Sequence, residues 1–331
     1  MGAASNPPPP AGQAVFARAE ERGTVPARVP KNMVWVPGGD FLMGSEDFYP
    51  EERPVQARTV PGLWVDHHPV TNAEFRRFVK DTGHLTTAET APSAADFPEA
   101  SHDQLVPGSL VFTPPDRAVP LHDFRAWWSW VPGAQWRHPE GPRSTLHGRE
   151  RHPVVHVSQA DAAAYAAWAG KNLPIEAEWE YAARGGLEGA TYAWGNTLTV
   201  RARTMANIWH GRFPHENLAL DGFERTSPVG SFPPNGYGLV DVCGNVWEWT
   251  ISSFTPDHGL AGRPGARPAE RPCCGPTSPT RPVDDRLVIK GGSHLCAPNY
   301  CLRYRPAARQ AQTRDTSTSH LGFRCVLRPG G

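Results

Sequence analysis

The most restrictive feature of this sequence is its large supply of residues that interrupt regular structure. The 331 residues include 32 Gly and 36 Pro, about a fifth of the chain, which is below the disordered range but high for a regular helix or sheet protein. The chain also has 12 Trp and 13 Phe, enough large apolar side chains for a substantial core. We therefore expect a globule rich in irregular loops, with long loops fastened by packing or by metal ions.

The charge balance excludes several classes of function. Lys and Arg together number 33, as do Asp and Glu, so no net field attracts nucleic acid or a charged membrane. There is no run of about 18 apolar residues, and the N-terminal stretch lacks the apolar segment of a secretory signal. A cytoplasmic location is therefore expected, and the six cysteines do not indicate a disulfide framework.

Local patterns predict three helices. They are VTNAEFRRFVKDTG, ending at Gly83, SQADAAAYAAWAG, ending at Gly170, and LPIEAEWEYAARGG, ending at Gly185. The first begins with a capping box formed by Thr71 and Glu74, and the second with Ser158 and Asp161. Each segment carries apolar residues at helical spacing and a glycine at its end.

Strand signals are fewer, and they lie near the two ends of the chain. The apolar stretch Met33–Val36 predicts a strand before a Pro-Gly-Gly turn, and RLVIKGG and LGFRCVLR predict closing strands. Regular periodicity is absent from about residue 190 to 282, and residues 257–284 have the composition of a surface loop. Residues 1–30 are Pro-rich and predict a flexible tail, which leaves residues 31–329 as one domain.

Cys296 and Cys301 lie five positions apart in GGSHLCAPNYCLRYR. The spacing differs from the C-x2-C pattern of zinc, iron–sulfur and redox sites. Two thiolates suit Cu(I), but a disulfide or simple packing fits the spacing as well, so the residues alone leave these alternatives open. Cys273 and Cys274 are adjacent and receive no catalytic role, whereas Cys325 lies in an apolar strand and is expected to pack in the core.

Two segments could supply oxygen ligands to a hard cation. In ANIWHGRFPHENLALDGF these are Asn207 and Asp221, for which ordinary turn chemistry is the alternative. In NGYGLVDVCGNVWEWT, Asp241 and Glu248 could bracket Ca²⁺. The alternative is a buried strand with its tryptophans in the core and Glu248 in a salt bridge.

The C-terminal segment RYRPAARQAQTRDTSTSHLGFRCV combines arginines with a Ser/Thr cluster. Such a segment could line a polar groove for a peptide. Scattered charge more often forms a solvated face, and the residues alone do not decide between these interpretations.

The order of the motifs resembles the formylglycine-generating enzymes, the sulfatase-modifying factors. The motifs are MVWVPGGDFLMGS, PVTNAEFRRFV, WRHPEGPRS, HPVVHVS, LPIEAEWEYAARGG, ANIWHG, DGF, PPNGYGLVDVCGNVWEWT, KGGSHLC, YCLRYRPAAR and STSHLGFRCV. The resemblance spans residues 32 to 327, and the segment GGS-x2-C-x4-C-x-RYR is its most specific part. It implies the family's mixed α/β (α+β) fold, an irregular, coil-rich single globule with little regular secondary structure, distantly similar to C-type lectin domains.

The resemblance also implies one or two structural Ca²⁺ ions. For the first ion, the implied ligands are Asn207, Ile208, Asp221 and Phe223. For the second ion, they are Asp241, Gly244, Val246 and Glu248. These positions keep carboxylate or amide oxygens wherever a side-chain ligand is needed.

The activity implied by the resemblance is the oxidation of a cysteine to Cα-formylglycine by O2. The substrate is an unfolded sulfatase carrying C-x-P-x-R, and a reductant takes part. Cys296 and Cys301 would hold Cu(I), with Ser293 beside them and Trp247 as an apolar wall. A peptide groove would include Tyr300, Ser317 and His320. The expected molecule is a monomeric enzyme of bacterial cytoplasmic type that binds neither nucleic acid nor membrane, with Arg303 and Arg305 supporting the cysteine loop.

Two other functions remain to be compared with this one. A catalytically silent family member would act as a peptide- or partner-binding module, but the retained cysteines and Ser293 favour the enzyme. An iron-dependent sulfoxide synthase would need a His-rich helical domain, and the sequence contains none. The chain departs from common family residues at Gln159, Asn172 and Ile175, on predicted helices or their entries, which concerns local packing more than chemistry.

Overall fold

The structure is a computed structural model that describes residues 30–95, 98, 101, 105–258 and 286–329. The predicted tail lies outside these residues except for Pro30, as do Cys273, Cys274 and most of the predicted loop at 257–284. In the part of the chain that is described, no helix is long and apolar enough to span a membrane.

All three predicted helices are confirmed. They are α1 (Asn72–Thr82), α2 (Gln159–Trp168) and α3 (Glu176–Arg184). The capping boxes of α1 and α2 form as predicted, with Thr71 accepting a hydrogen bond from the Glu74 backbone and Ser158 from that of Asp161. Left-handed glycines follow α1 and α3, where a residue with a Cβ would be strained.

The strands are short and numerous. They are β1 (Met33–Val36), β2 (Gly39–Met43), β3 (Gln56–Val60), β4 (Leu63–Asp66), β5 (Gly108–Phe112), β6 (Trp128–Pro132), β7 (Thr199–Val200), β8 (Arg203–Thr204), β9 (Trp247–Ser253), β10 (Arg286–Lys290), β11 (Arg309–Thr313), β12 (Leu321–Gly322) and β13 (Val326–Leu327). Together with long irregular connections, they confirm the predicted coil-rich, mixed α/β class.

Two sheets organise the centre of the molecule. One has the order β11-β10-β9-β12, with β12 parallel to β9 and the other neighbours antiparallel. The other has the order β1-β4-β13, which pairs a strand near each end of the described chain with the same partner. The hairpins β2–β3, β5–β6 and β7–β8 lie outside these sheets. Of the predicted strands, β1 and β10 are confirmed, and LGFRCVLR divides into β12 and β13, which belong to different sheets.

Among the described residues between 190 and 282, three strands occur where no regular periodicity predicted them. β7, β8 and the seven-residue strand β9 all lie there. The sequence of β9, WEWTISS, alternates apolar and polar residues, but its first four residues are all buried. The polar Glu248 and Thr250 lie inside the protein because Arg324 and the carbonyl of Val288 hydrogen-bond to them. The alternative interpretation, a buried strand with its tryptophans in the core, is the one observed.

The arginines of the C-terminal segment also differ from expectation. Arg303, Arg305, Arg309 and Arg324 are all buried, so the solvated face, one of the two interpretations left open, does not apply to these four. Each lies within hydrogen-bonding distance of a glutamate far away in the sequence. Buried charges require such partners because removing a charge from water is costly.

In the described residues the core has two large clusters and a small third one of Phe254, Val288 and Ala311. The cysteine loop lies where the two large clusters meet. The larger cluster joins the three helices to β9 and includes both Cys296 and Cys301. The smaller cluster is mainly aromatic and includes Leu295 and Ala297, from the same loop. Tyr300 packs against both clusters. The fold therefore places the loop's short sequence against two separate packed walls.

Candidate active site

The two candidate cysteines face each other inside the protein. The Sγ atoms of Cys296 and Cys301 are 3.2 Å apart, well beyond the disulfide bond length of about 2 Å. Each residue is only 1% exposed. The backbone N–H groups of Tyr300 and Cys301 both donate to the carbonyl of Ala297, at 3.0 and 2.8 Å. This single tight turn brings together two thiols that are five residues apart in sequence.

A Gly-Gly-Ser segment leads into the turn. Gly292 has a φ of 69°, and a Cβ atom on it would lie 2.7 Å from the carbonyl oxygen of Arg303, so this close backbone approach requires glycine. Ser293 is fully buried, and its carbonyl accepts a 2.9 Å hydrogen bond from the backbone of Cys296. Its hydroxyl oxygen accepts from the Leu295 backbone at 3.2 Å. Within the described residues, the hydroxyl proton of Ser293 has no acceptor and is therefore available for donation.

Aromatic rings surround this turn. The ring of Tyr300 stacks on that of Phe213, with centroids 4.5 Å apart and planes 4° from parallel. Its edge-on neighbour is Trp127, at 5.6 Å. The backbone of Trp209, another ring of the same cluster, donates to the carbonyl of Cys296 at 3.0 Å. Trp247 is fully buried in the larger cluster. Such walls exclude water and strengthen electrostatic interactions within the site.

Ser317 belongs to a buried hydroxyl–imidazole network. Its hydroxyl lies 2.9 Å from that of Ser109, which lies 2.7 Å from Nδ1 of His156. The other ring nitrogen of His156 lies 2.8 Å from the carbonyl oxygen of Pro139. Burial lowers the pKa of His156 to about 4, so the imidazole is neutral near pH 7. A neutral ring that donates to Pro139 accepts at Nδ1, which orders the hydroxyl protons along this network.

His320 lies between the network and the aromatic cluster. Its Nδ1 is 2.7 Å from the hydroxyl of Thr318, and its ring centroid is 4.8 Å from that of Trp128. Its carbonyl accepts a 2.9 Å hydrogen bond from the backbone of Trp247. Burial, with the nearby His294 and His156, lowers the pKa of His320 well below its usual value. His320 is therefore a neutral polar group, connected to the cysteine loop through Trp128 and the aromatic cluster.

The first predicted calcium site has an unsatisfied oxygen. Oδ1 of Asn207 is buried and has no hydrogen-bond donor among the described residues, while its Nδ2 donates to the carbonyl of Arg225 at 2.8 Å. The carboxylate of Asp221 accepts from the backbones of Ile208 and Phe223, at 3.0 Å each. A buried amide oxygen and a carboxylate in one loop are the ligands a hard cation prefers. The residues present therefore fit a Ca²⁺ ion at this position.

At the second predicted calcium site, the candidate carboxylate ligand already has hydrogen-bond donors. Both oxygens of Glu248 accept from Arg324, at 2.7 and 2.8 Å, and one also accepts from the indole of Trp179 at 2.7 Å. The salt bridge considered as an alternative is therefore present, and Glu248 does not fit a calcium ligand in this arrangement. Asp241 accepts from the backbone of Gly230 at 2.7 Å, and burial raises its pKa.

The two predicted calcium sites are neighbours. Gly244 has a φ of 76°, and a Cβ atom on it would lie 2.3 Å from the carbonyl oxygen of Asn207. The backbone of Asn245 donates to that same carbonyl at 2.8 Å, and Val246 is buried directly before β9. Within the described residues, no group of three or more His, Cys, Asp or Glu could hold a metal. Calcium would therefore need main-chain oxygens, and within the described residues a copper site would have the two thiols of Cys296 and Cys301 as its ligands.

Sequence reasoning identified Arg303 and Arg305 as supports of the cysteine loop but missed their partners. These are Glu51 and Glu52, which pair with the two arginines from a segment about 250 residues earlier. The two adjacent glutamates in the sequence PEE are complementary in charge and number to the two arginines in RYR. This complementarity is the only signal that could have suggested the contact.

Comparison with known proteins agrees with the order of the motifs. Residues 18–329 match a family model described as "Sulfatase-modifying factor enzyme 1-like domain". The chain is 52% identical over 299 residues to the "Formylglycine-generating enzyme" of Mycobacterium tuberculosis, covering 90% of this chain and 98% of that protein. It is 39% identical over 304 residues to "Inactive C-alpha-formylglycine-generating enzyme 2" of Mus musculus, covering 90% and 86%.

Among solved structures, PvdO from Pseudomonas aeruginosa has a similar fold. The TM-score is 0.58 at 25% sequence identity, with 93% of this chain and 99% of that chain covered. The family model matches almost the whole chain. The alignment with the Mycobacterium tuberculosis relative, at 52% identity, covers 90% of this chain and 98% of that protein. The chain therefore belongs to the family defined by the sulfatase-modifying factor enzyme 1-like domain.

Proposed function

We propose that this protein converts a cysteine of an unfolded sulfatase, within the motif C-x-P-x-R, into Cα-formylglycine. O2 is the oxidant, and Cys296 and Cys301 hold Cu(I). The observation that carries the proposal is the buried pair of thiols 3.2 Å apart, in a chain 52% identical to a formylglycine-generating enzyme. Two soft sulfur donors suit Cu(I), and the substrate's own thiol would join them as a further ligand.

The overall reaction requires a reductant. The substrate Cβ exchanges its sulfur and one hydrogen for a doubly bonded oxygen, which is a two-electron oxidation, and the sulfur leaves as sulfide. O2 accepts four electrons as it forms the aldehyde oxygen and one water molecule. Two electrons must therefore come from a reductant such as a thiol. Copper supplies the one-electron O2 chemistry that no side chain can perform.

The chain's own residues position the reactants and exclude water. Ser293 has a hydroxyl proton to donate and is hydrogen-bonded through its carbonyl to the backbone of Cys296, so in this proposal it stabilises negative charge that develops near the thiols. Trp247 and Tyr300 form apolar walls, which prevent water from reaching the site. Ser317 and His320 offer neutral hydrogen-bonding groups to a peptide backbone. Since the pKa of His320 is far below its usual value, the imidazole binds without adding charge.

Calcium has a structural role in this proposal. Asn207 and Asp221, with the main-chain oxygens of Ile208 and Phe223, would hold one ion. That ion fastens the loop carrying Trp209, whose backbone contacts the carbonyl of Cys296. The second ion would need Glu248 to exchange its partner Arg324 for calcium. We therefore expect the first site to bind more tightly than the second.

The decisive experiment follows the product directly. The purified protein is loaded with Cu(I) and incubated with O2, a thiol reductant and a C-x-P-x-R peptide, and the peptide is analysed by mass spectrometry. We expect formylglycine at the cysteine, no product with Cys301→Ala, and no reaction of a peptide with Ser in place of Cys. If the wild-type protein binds the peptide but leaves its cysteine unchanged, the binding-module alternative is correct.

A further inference from the structure

A short segment about 250 residues before the cysteine loop packs directly against it. Residues 48–52, which we call the brace, include one turn of 3-10 helix at Pro50–Glu52. The hydroxyl of Tyr49 accepts a 2.9 Å hydrogen bond from the backbone N–H of Leu302. Leu302 directly follows Cys301, so this bond fixes the peptide unit next to one of the two thiols.

Arg303 is enclosed by the brace. Its guanidinium lies 3.8 Å from the ring centroid of Tyr49, and its Nη2 donates to Oε1 of Glu51 at 2.6 Å. Arg303 and Glu51 are both less than a tenth exposed. A desolvated cation on an aromatic face, with a charged hydrogen bond, has a strongly restricted geometry.

Arg305 repeats the arrangement two residues later. Its guanidinium lies 3.6 Å from the ring centroid of Phe48, and its Nη1 donates to Oε2 of Glu52 at 2.9 Å. Its Nε also donates to the carbonyl of Leu302 at 2.6 Å. Arg305 therefore connects the brace to the same peptide segment from a second direction.

The brace is itself fixed to the core. The carbonyl of Glu52 accepts from the backbone of Ser45 at 3.1 Å, and the carbonyl of Glu51 accepts from Arg309 of β11 at 3.0 Å. Arg309 in turn pairs with Glu176 at the start of α3, at 2.7 and 3.0 Å. Movement of the brace would therefore require buried ion pairs in the central sheet to open.

We propose that the brace positions Cys301 against Cys296, and that Tyr49, Glu51 and Glu52 are positioning residues for the thiol pair. Buried ion pairs contribute little net stability compared with apolar packing, whereas they restrict geometry strongly. A two-thiol site on an irregular loop needs such restriction. If the thiols were mobile, binding one metal ion with both of them would cost conformational entropy and weaken the affinity for the ion. The inference rests on the proposed function only in explaining why the thiols need to be positioned. The contacts themselves are present in the protein without substrate.

The test measures how often the loop opens, and it requires neither copper nor substrate. Both thiols are buried, so iodoacetamide can alkylate them only when the loop opens. The metal-free protein is alkylated over a time course, digested and quantified at each cysteine by mass spectrometry. In Tyr49→Phe, which keeps the ring but loses the bond to Leu302, we expect Cys301 to react about five-fold faster. In Glu51→Gln the increase should be about ten-fold or more.

The buried Cys243 and Cys325 serve as internal controls, and Asp66→Asn serves as a matched variant. Asp66, the last residue of β4, forms a partly buried ion pair with Lys171 at 2.5 Å, away from the brace. That variant should not increase the rate at Cys301 relative to Cys243. The proposal is overturned if Cys301 reacts at the wild-type rate in both brace variants, or if all the cysteines accelerate together. Failure of the wild-type protein to form formylglycine would leave these rates unchanged and would count against the proposed function alone.

Discussion

The amide of Asn207 shows how much a single side chain can indicate. Its Oδ1 is buried and has no donor in the described part of the chain, although a buried polar atom without a partner costs about 1–3 kcal/mol. A bound cation removes that cost. The residue type alone did not distinguish a cation ligand from ordinary turn chemistry, because the distinction depends on which donors reach the oxygen.

Calcium should therefore stabilise the protein through Asn207. At a concentration about 100 times the dissociation constant, binding adds about 2.7 kcal/mol, or roughly 5–10 °C in Tm. Thermal unfolding with excess Ca²⁺ and with a chelator measures the difference. Asn207→Ala should abolish most of the calcium-dependent increase. The control Asn196→Ala removes an exposed loop amide that accepts from Thr191 at 2.9 Å and should keep the full increase. An equal calcium response in both variants would exclude Asn207 as a ligand.

At the scale of elements, local chemistry determines the helices but not the strands. The helix boundaries follow from capping residues, glycines and apolar spacing, all of which lie within a few positions of each other. β9 and β11 are different, since the first four residues of β9 and all of β11 are buried against segments far away in sequence. The polar residues of β11 have the composition of a solvated segment. The burial of Arg309 depends on partners far away in sequence, namely Glu176 in α3 and the carbonyl oxygens of Glu51 and Thr255.

The capping box of α1 gives a prediction at this scale. Thr71→Ala removes the hydroxyl that accepts from the Glu74 backbone, which should reduce the free energy of unfolding by about 1 kcal/mol. For a protein of this size the expected decrease in Tm is about 2–4 °C. Arg76→Ala, on the exposed face of the same helix, should change the free energy by less than about 0.5 kcal/mol. Equal effects of the two substitutions in thermal unfolding would argue against the cap.

At the scale of the whole molecule, buried ionisable groups make stability depend on pH. Burial lowers the pKa of His156 to about 4, below its unfolded value of about 6.5. Burial alone would raise the pKa of Glu176, but Arg309 and other nearby cations bring it to about 2. Both folded values lie below the unfolded ones. Each group therefore stabilises the fold fully above its unfolded pKa and loses that contribution as the pH falls towards its folded pKa.

We therefore expect the free energy of unfolding to fall as the pH decreases from about 6.5 to about 4, with the histidines binding protons on unfolding. A further loss follows from about 4.5 down to about 2 as Glu176 is protonated. His156→Gln cannot titrate and should reduce the first slope by up to about 1.4 kcal/mol per pH unit. Urea unfolding at a series of pH values measures both slopes. An unchanged slope in His156→Gln would show that other groups dominate.

The cysteine site could be predicted only in part. Cys296 and Cys301 stand out because they are close in sequence and belong to a specific motif, but their spacing alone left packing, a disulfide and a metal site as alternatives. The brace could not be predicted, since Tyr49 and Glu51 meet the loop only after the chain has folded. Glu248 illustrates the opposite kind of error. Its carboxylate is of the right type to bind calcium, but in the folded protein it pairs with Arg324 instead.

The distance along the chain between the brace and the cysteine loop also determines when the thiol pair can form during synthesis. Glu51 and Arg303 are 252 residues apart, and β4 pairs with β13, which places Val65 opposite Val326. Contacts of such long range form slowly, because much loop entropy is lost before they are made. A nascent chain still attached to the ribosome therefore lacks the ordered thiol pair until the segment containing residue 305 has emerged. The site is among the last parts of the molecule to be assembled.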